Sequence, residues 1–442
     1  MATNDERTAS VPSNSAVATR RQFLAGAGAG VGAVGMGWLA EKTPPAFAQR
    51  RTLTALALSL FVPSGDERFS QLMEEFGKQA GCDARFDTIK VTDVPVKLAA
   101  EATAQAGHDI VNIWETFGYL HRQNLAPIDD VIEDMNRRYE IYPGPKATFH
   151  IEGNWKVAPW YWLSIVGTYN TKHWKAANLA VPKTWDELHR AGTELKKRGF
   201  PVGIAVSNCT DANLTWRVVM WCHGAKEVEA DGKTIAINSP KTVEFLEYAK
   251  RLYTDTMTQE VLSWDDAGNN RLILSGKGSW VANPVSIYLA AKDQDLPIAA
   301  EIDHHEGLSG PAGRYAATYH HGLGIWKFSK NVDLAKDFLR FLYQEQNYVS
   351  WLNAAKGFCM SPVKKFEGLD VWKKDPKLTL LPKEGPYTRP QGWPGPPTQY
   401  IAAMDSRYLL PNMIARVIGG TSPKDAILWM EREMQKVFKE TV

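Results

Sequence analysis

The chain has 442 residues and a formal net charge of +2, and this length suggests two to three domains. Because the charge is nearly balanced and no tract of Lys or Arg occurs, no nucleic-acid-binding surface is predicted. The four cysteines have no C-x-x-C spacing, which argues against a zinc or thioredoxin-like motif. Cys209 and Cys222 can form a disulfide in an oxidising compartment, and buried free thiols are the alternative.

The N-terminal segment has the three-part layout of a cleavable export signal. Arg20 and Arg21 precede an uncharged run, residues 24–40, that is rich in Gly and Ala. Ala46-Phe47-Ala48 then supplies the small residues of a cleavage site, and the paired arginines resemble the twin-arginine variant. A retained membrane anchor is the alternative, but the many glycines make the run only weakly hydrophobic. We therefore expect residues 1–48 to be removed and the mature protein to be periplasmic and exported through the twin-arginine route.

The mature chain opens with alternating strands and helices. Residue 60 begins a predicted loop, which extends to residue 65. Hydrophobic periodicity predicts strands at 52–58, 85–89 and 108–113, with helices at 69–79 and 94–106. This alternation is typical of a parallel sheet with helical crossovers.

A second α/β region follows from residue 184. Thr184 is predicted to cap a helix, with Glu187 completing a capping box, and Ser422 is predicted to cap the last helix. Between these caps the pattern predicts a strand at 202–206 and helices at 243–253 and 335–344.

Four segments carry motifs that occur in the same order in one family of exported proteins. They are His108-Asp109-Ile110-Val111 with Trp114, Phe117-Gly118-Tyr119 and Leu125-Ala126-Pro127-Ile128-Asp129; Ala158-Pro159 through Thr168-Tyr169-Asn170 to Pro182-Lys183-Thr184-Trp185-Asp186-Glu187-Leu188; Ser275-Gly276-Lys277-Gly278 with Asn283-Pro284; and Gly322-Leu323-Gly324-Ile325 with Ser329-Lys330-Asn331 and Ala335-Lys336-Asp337-Phe338-Leu339. Together the segments resemble the family 1 extracellular solute-binding proteins of ABC importers, the group that includes the maltose-binding protein. Each segment alone is weak, whereas four in order after an export signal are specific.

The resemblance implies an α/β fold of two periplasmic-binding-protein-like lobes, with hinge-linked and mostly parallel sheets. Residues 49–161 and 320–361 would form lobe 1, and residues 162–319 and 362–442 would form lobe 2. The chain would cross between the lobes at 161–164 and again at 318–322. The resemblance also implies a monomer without a cofactor that binds a small solute, delivers it to the permease subunits of an ABC importer, and is not an enzyme.

The first lobe offers candidate ligand contacts in the loops that follow its strands. Trp114 and Glu115 follow a buried strand, where a Trp can stack on a sugar ring and a Glu can accept hydroxyl hydrogen bonds. Phe61 and Ser64 follow the first strand and are candidates for the same reason. Packing of the Trp and helix capping by the Glu are the structural alternatives. Beside the first crossing, one of two tryptophans is expected to face the cleft. These two are Trp160 and Trp162.

In the second lobe, the resemblance places the stretch from Asn208 to Asn213 against the ligand. Its candidate contacts are Asp211 and Asn213, followed by Trp216. A turn that opens a helix is the alternative role for this stretch. The resemblance adds Asn283 and Tyr288, which follow the Gly-Lys-Gly motif. It also adds Arg407, where relatives carry an aromatic ligand contact and this chain has Ser406-Arg407-Tyr408.

Tyr319-His320-His321 departs from the small residues that relatives carry at the second crossing. Tyr319 and His320 are candidate ligand contacts. The two imidazoles can hydrogen-bond a polar ligand, sense pH, or satisfy backbone groups of the crossing strand. Asp303-His304-His305-Glu306 is a poor metal cage, because neighbouring residues on an extended chain point to opposite faces.

The class of solute is predicted from composition. The 16 Trp, 15 Tyr and 16 Phe favour a sugar, oligosaccharide or polyol, because aromatic faces stack on flat polar ligands. Glu115 and Asp211 leave open a polyamine, another cationic solute or a metal ion. No catalytic motif of the G-x-S-x-G, H-E-x-x-H or P-loop type occurs, so an exported glycoside-active enzyme is the least favoured alternative.

Overall fold

The computed structural model describes residues 50–441, apart from the side chain of Thr318. The predicted export signal, residues 1–48, lies outside the described residues. No helix in the described part combines the length and the apolar character that crossing a bilayer requires. The four cysteines are buried and free, so Cys209 and Cys222 do not form a disulfide.

The described residues form two principal β-sheets surrounded by helices. The strands are β1 Thr52–Leu58, β2 Asp83–Ile89, β3 Ile110–Trp114, β4 His150–Ile151, β5 Asn154–Trp155, β6 Val157–Ser164, β7 Val166–Asn170, β8 Val202–Gly203, β9 Trp280–Asn283, β10 Ile302–His305, β11 Ser309–Gly310, β12 Gly313–Arg314, β13 Ala316–Ile325 and β14 Thr388–Arg389. The helices are α1 Pro63–Ala80, α2 Val94–Ala104, α3 Phe117–Leu120, α4 Asp129–Tyr139, α5 Pro143–Phe149, α6 Thr171–Ala176, α7 Trp185–Lys197, α8 Thr210–Cys222, α9 Pro240–Thr256, α10 Gly268–Leu274, α11 Ser286–Asp293, α12 Val332–Leu342, α13 Glu345–Ala354, α14 Gln399–Ser406, α15 Leu409–Ile418 and α16 Pro423–Glu440. Short 3-10 turns lie at Val91–Asp93, Gln259–Leu262, Pro297–Ala300, Lys364–Phe366, Asp370–Trp372, Pro376–Leu378 and Leu381–Tyr387.

The first sheet has the strand order β14-β13-β3-β1-β2, with β6 paired to β13. Its pairs β1–β2, β1–β3 and β13–β14 are parallel, whereas β13 runs antiparallel to β3 and β6. The second sheet has the order β10-β7-β9-β8, and only β8–β9 is parallel. Mostly parallel pairing is therefore confirmed for the first sheet and wrong for the second, because β7 enters that sheet antiparallel to both of its neighbours.

The chain passes from the first sheet to the second through a single residue. Ser164 ends β6, Ile165 follows, and Val166 begins β7. The second predicted crossing, residues 318–322, lies within β13, which pairs with β6 along seven positions. Strands β6 and β13 therefore lie side by side where the chain leaves the first sheet.

Most predicted elements are confirmed, with shifted ends. Strand β1 coincides with the predicted strand, and the Thr184 hydroxyl accepts the N–H of Glu187 at 3.1 Å as a helix cap. Helix α1 begins at Pro63, earlier than the hydrophobic stripe indicates, because a proline suits the first helical position. The predicted strand at 202–206 is only two residues long, since its end turns away to pair with Val261.

The core follows from the apolar periods of these elements. Every residue of β3 is buried, as expected for a strand covered on both faces. Helix α1 buries Phe69, Leu72, Met73 and Phe76 along one stripe, and Phe69 packs on the ring of Trp160 at 4.7 Å. This packing fixes β6 against α1 and so positions the crossing strands.

Candidate functional site

Glu115 stands at the carboxyl end of β3 and is tied to β13. Its φ is 43°, in the left-handed region, and it is 1% exposed. Its N–H donates to the carbonyl oxygen of His320 at 2.9 Å, and its Oε1 accepts the N–H of His320. Burial raises the pKa of the Glu115 carboxyl well above its ordinary value, and the hydrogen bond from His320 offsets this only in part. The reciprocal backbone contacts hold a costly conformation in place, as functional sites often do.

A second polar set comes from α8, α10 and β9 and from the residue pair before α10. Asn269 Nδ2 donates to Asp211 Oδ2 at 2.6 Å and to Asn283 Oδ1 at 2.8 Å. The N–H of Asp211 donates to Asp266 Oδ1 at 2.9 Å. Burial raises the pKa of Asp211 well above its ordinary value, and the neighbouring Asp266 charge adds to the shift. Burial also raises the pKa of Asp266.

Tyr319 of β13 lies near both Glu115 and the polar residues of α8 and α10. Burial raises the pKa of its phenol well above the ordinary value, and the charges of Asp266, Asp211 and Glu115 add to the shift. The phenol therefore lies within electrostatic reach of Glu115, which follows β3, of Asp211 on α8 and of Asp266 before α10. We call this group the inter-sheet cluster, and it consists of Glu115, Asp211, Asp266, Asn269, Asn283 and Tyr319.

Four buried oxygens in and beside the inter-sheet cluster have no hydrogen-bond partner within the described residues. They are Glu115 Oε2, Asp266 Oδ2, Asn213 Oδ1 and Asn270 Oδ1. Amide oxygens are hydrogen-bond acceptors, and carboxyl oxygens accept when ionised. Buried polar atoms in native proteins are nearly always paired, so this arrangement suits a molecule that brings several donors. No group of three or more His, Cys, Asp or Glu within the described residues is arranged to hold a metal ion.

A cavity of about 620 Å³ lies beside the crossing strands, and we call it the rear cavity. Its walls come from the start of α5, from β6 and β13, and from the proline-rich chain before and after β14. The lining residues are Tyr142, Pro143, Gly144, Pro145, Ala147, Trp162, His320, Met360, Ser361, Glu367, Trp372, Pro382, Gly385, Pro386, Thr388, Arg389 and Pro390. Of the candidate ligand contacts from the sequence, Trp162 and His320 line it.

A β-bulge separates the two tryptophans of β6. The pairing register shifts between His321 and Gly322, which leaves Trp160 as the extra residue. Trp160 turns into the core, with its ring 4.8 Å from that of Trp351, whereas Trp162 lines the rear cavity. Without the bulge, residues two apart on a strand share a face.

The imidazoles of β13 face opposite ways. His320 lines the rear cavity, while His321 stacks on Tyr161 with ring centroids 4.4 Å apart. Burial lowers the pKa of His320 to about 3 and that of His321 well below its ordinary value. Both rings are therefore neutral across the physiological range, which disfavours the pH-sensing interpretation. The rings bond side chains rather than strand backbone: His320 Nδ1 pairs with the Thr148 hydroxyl at 3.1 Å, and His321 Nδ1 pairs with Asn112 Oδ1 at 3.4 Å.

The remaining candidates of the first sheet are packed or exposed. Trp114 is 3% exposed and packs on Phe117 and His321. Ser64 donates to the carbonyl oxygen of Ala354 at 2.6 Å, and Phe61 is exposed. None of these residues lines the rear cavity or contacts the inter-sheet cluster through a hydrogen bond in the described chain.

The remaining candidates of the second sheet are also held by structural contacts. Trp216 is fully buried and its Nε1 donates to the carbonyl oxygen of Ala205 at 2.8 Å. Asn213 Nδ2 donates to the carbonyl oxygen of Asp405 at 3.0 Å. Tyr288 donates to Asp375 Oδ2 at 2.7 Å, and Arg407 forms a surface ion pair of 2.8 Å with Glu440. The structure thus brings Glu115, Asp211, Asn283 and Tyr319 together and leaves Trp216, Tyr288 and Arg407 outside.

Sequence reasoning missed the acceptors before and within α10. Asp266, Asn269 and Asn270 belong to the polar run Asp265-Asp266-Ala267-Gly268-Asn269-Asn270. Such a run reads as a helix start, because Asp and Asn favour turns and caps. Its density of amide and carboxyl oxygens just before β9 was the available signal.

Comparisons with known proteins find a matching family and a matching fold. A family model described as bacterial extracellular solute-binding protein matches residues 71–380. A probable ABC transporter-binding protein of Deinococcus radiodurans is 24% identical over 322 residues, which cover 67% of this chain and 74% of the relative.

Solved structures of similar fold have bound solutes. An ABC transporter solute-binding protein of Thermotoga lettingae, with bound α-D-tagatose, has a TM-score of 0.75 at 19% identity and covers 88% of this chain and 100% of its own. Maltose-bound MalE3 of T. maritima has a TM-score of 0.76 at 16% identity, with coverages of 87% and 99%. A ribitol complex of a solute-binding protein from Agrobacterium radiobacter has a TM-score of 0.75 at 18% identity, with coverages of 87% and 98%. This likeness confirms the predicted two-lobed periplasmic-binding-protein-like fold.

Proposed function

Because the chain belongs to the bacterial extracellular solute-binding proteins, we propose that it binds a small polyhydroxylated solute at the inter-sheet cluster and delivers it to an ABC importer. The observation that carries this proposal is the set of four unpaired buried oxygens in and beside the cluster. A sugar or polyol hydroxyl both donates and accepts, so it can pair with an amide oxygen of this set or with a protonated carboxyl. The carboxyl ends of strands are also where open α/β sheets bind ligands.

The ligands of similar proteins support the same chemical class. Tagatose, maltose and ribitol, which the solved relatives carry, are all polyhydroxylated. Trp114 does not supply an open stacking face, since it is 3% exposed. We therefore assign recognition mainly to hydrogen bonding by Glu115, Asp211 and Asp266, with Tyr319 between them.

A cationic solute is the second candidate, and the presence of three carboxyls in the inter-sheet cluster favours it. Burial raises the pKa of Glu115, Asp211 and Asp266, so an ammonium group brought beside them would allow them to ionise. A polyamine fits this chemistry as well as a polyol does. A solute screen separates the two classes.

Binding is expected to raise the apparent melting temperature, because a solute that binds only the folded state stabilises it by about 2.7 kcal/mol at 100 times Kd. We expect at least one of maltose, D-tagatose and ribitol to produce this shift in a thermal-shift assay, and spermidine to produce none. A rise in melting temperature with spermidine alone would show that the solute is cationic and not a sugar or polyol. No shift with any sugar, polyol or polyamine of a broad panel would contradict the proposal.

The two lobes are proposed to be residues 49–161 with 320–361 and residues 162–319 with 362–442, and to close on the solute by a hinge motion. The one-residue passage at Ile165 and strand β13 are the proposed hinge segments. In this proposal the protein acts as a monomer without a cofactor or enzymatic activity. Small-angle scattering with the solute found in the screen measures the closure as a smaller radius of gyration.

Export is proposed to proceed by the twin-arginine route, with cleavage after Ala48. The paired arginines, the uncharged run and the Ala-Phe-Ala sequence support this. N-terminal sequencing of the exported protein is expected to begin at Gln49. A mature chain that still begins near Met1 is the opposing result.

A further inference from the structure

The rear cavity is separate from the inter-sheet cluster although one strand serves both. Neighbouring residues of β13 point to opposite faces, so Tyr319 lies among the cluster carboxyls and His320 lines the cavity. The cavity volume of about 620 Å³ is within the range of small-molecule sites. The proposed polar solute does not account for this space.

The cavity walls are mainly apolar and aromatic. Tyr142, Trp162 and Trp372 contribute rings, and Met360 and Pro386 contribute aliphatic surface. Flat apolar ligands bind between such surfaces, because aromatic rings bury large areas and stack in offset or edge-on arrangements. A methionine adapts to irregular ligand shapes.

Three side-chain donors of the wall are already engaged. Trp162 Nε1 donates to the carbonyl oxygen of Ser361 at 3.0 Å, and the hydroxyl of Ser361 donates to the carbonyl oxygen of Val363 at 3.1 Å. Tyr142 donates to Glu367 Oε2 at 2.8 Å. Trp372 Nε1 is buried and has no hydrogen-bond partner within the described residues, so the wall keeps one unpaired indole donor. The wall also has one unpaired ring acceptor.

That acceptor is the Nε2 atom of His320. The Thr148 hydroxyl donates to the carbonyl oxygen of Gly144 at 3.1 Å, so its oxygen is left to accept from His320 Nδ1, also at 3.1 Å. A neutral ring with hydrogen on Nδ1 carries a lone pair on Nε2. Glu115 Oε1, 3.9 Å from Nδ1, favours the same tautomer. Nε2 has no hydrogen-bond partner within the described residues.

We propose that the rear cavity is a second ligand site, which takes a flat, apolar aromatic molecule carrying one N–H or O–H donor. The rings of Trp162 and Trp372 cover its faces, and Nε2 of His320 accepts its donor. This site does not depend on the solute proposed for the inter-sheet cluster. Its ligand class differs from a sugar or polyol in having one donor and an apolar body.

Isothermal titration calorimetry with indole and 1-methylindole tests the proposal, because the two probes differ mainly in the N–H donor. We expect indole to bind the wild-type protein at least fivefold more tightly than 1-methylindole. His320→Phe is expected to abolish this preference, and Met360→Trp is expected to weaken binding of both probes, because the larger side chain narrows the cavity. His304→Phe is the matched control, because His304 is a buried neutral imidazole that does not line the cavity.

Equal affinity of the two probes for the wild-type protein, or no binding of either, would overturn the proposal. Retention of the preference in His320→Phe, or its loss in His304→Phe, would also overturn it. Nuclear Overhauser effects between indole and the Met360 methyl group of ¹³C-methyl-Met protein, assigned with Met360→Leu, provide a readout in the wild-type chain. Effects to other methionines alone would place the probe elsewhere and contradict the assignment.

Discussion

Arg217→Met is expected to lower the free energy of unfolding by about 3–5 kcal/mol, because it leaves two buried carboxyls without their cation. Arg217 is 1% exposed and bonds Glu227 Oε1 at 2.6 Å and Asp405 Oδ1 at 2.5 Å. Even beside the guanidinium, burial raises the pKa of Asp405 to about 6. Urea unfolding at neutral pH measures the loss.

Arg407→Met is the matched control for this experiment. Its ion pair with Glu440 is largely in solvent, with side chains 44% and 56% exposed, so we expect a change of less than about 1 kcal/mol. Arg407→Met also tests Arg407 as a ligand contact. If Arg407 only pairs with Glu440, the substitution leaves the solute affinity unchanged. Equal destabilisation by the two substitutions would show that the buried triad of Arg217 contributes no more than a surface pair.

Glu115→Leu is expected to weaken solute binding by about 2–3 kcal/mol, or roughly 30- to 150-fold in Kd. The substitution removes the acceptor of the His320 N–H and the unpaired Oε2, so a hydroxyl of the solute loses its hydrogen-bond partner in a buried site. Calorimetric titration with the solute identified by thermal shift measures the effect. Unchanged affinity in a folded Glu115→Leu protein would move the site away from the inter-sheet cluster.

Glu115→Gln separates the two candidate solute classes. Because burial keeps the Glu115 carboxyl protonated above its ordinary pKa, a glutamine amide can replace it towards a neutral polyol, with a change of less than about fivefold. A cationic solute loses its counter-charge in the same variant, and its affinity falls as far as in Glu115→Leu.

The same glutamine has an expected effect on stability whose sign follows from the raised pKa. The folded state holds the Glu115 proton more tightly than the unfolded state does, so wild-type stability falls as pH rises above the ordinary carboxyl pKa of about 4.5. Glu115→Gln lacks this loss and gains on the wild type as pH rises above about 4.5 in urea unfolding. A stability difference that does not change with pH would show that Glu115 does not titrate abnormally.

The sequence predicted the secondary structure well where a helix or strand end depends on side chains close to it in the chain. Strand β1, the Thr184 cap and the Ser422 cap all occur as the sequence indicates, because each depends on residues within one turn or strand. Strand direction in the second sheet was missed, since no local pattern encodes which neighbour a strand meets. Trp160 was misplaced for a related reason, because a bulge depends on the partner strand.

The proposed site contains some of the residues that the sequence predicts. Glu115 and Asp211 were predicted because strand ends and helix starts place side chains at sheet edges, and Tyr319 because it breaks a pattern of small residues. Trp216 was named from its neighbourhood to Asp211, yet α8 is covered on nearly all sides, so an aromatic residue there is core. No short stretch of sequence shows that a helix is buried by segments distant in the chain.

Strand β13 also makes the chain sensitive to the insertion or deletion of a single residue. A slip of one position in its pairing with β6 would exchange the two faces, so that a phenol enters the rear cavity and an imidazole meets the cluster carboxyls. A substitution in β13 changes either the rear cavity or the inter-sheet cluster. A one-residue slip in the pairing of β13 would disrupt both sites together. Natural or laboratory variants of this protein should therefore keep the length of β13 fixed.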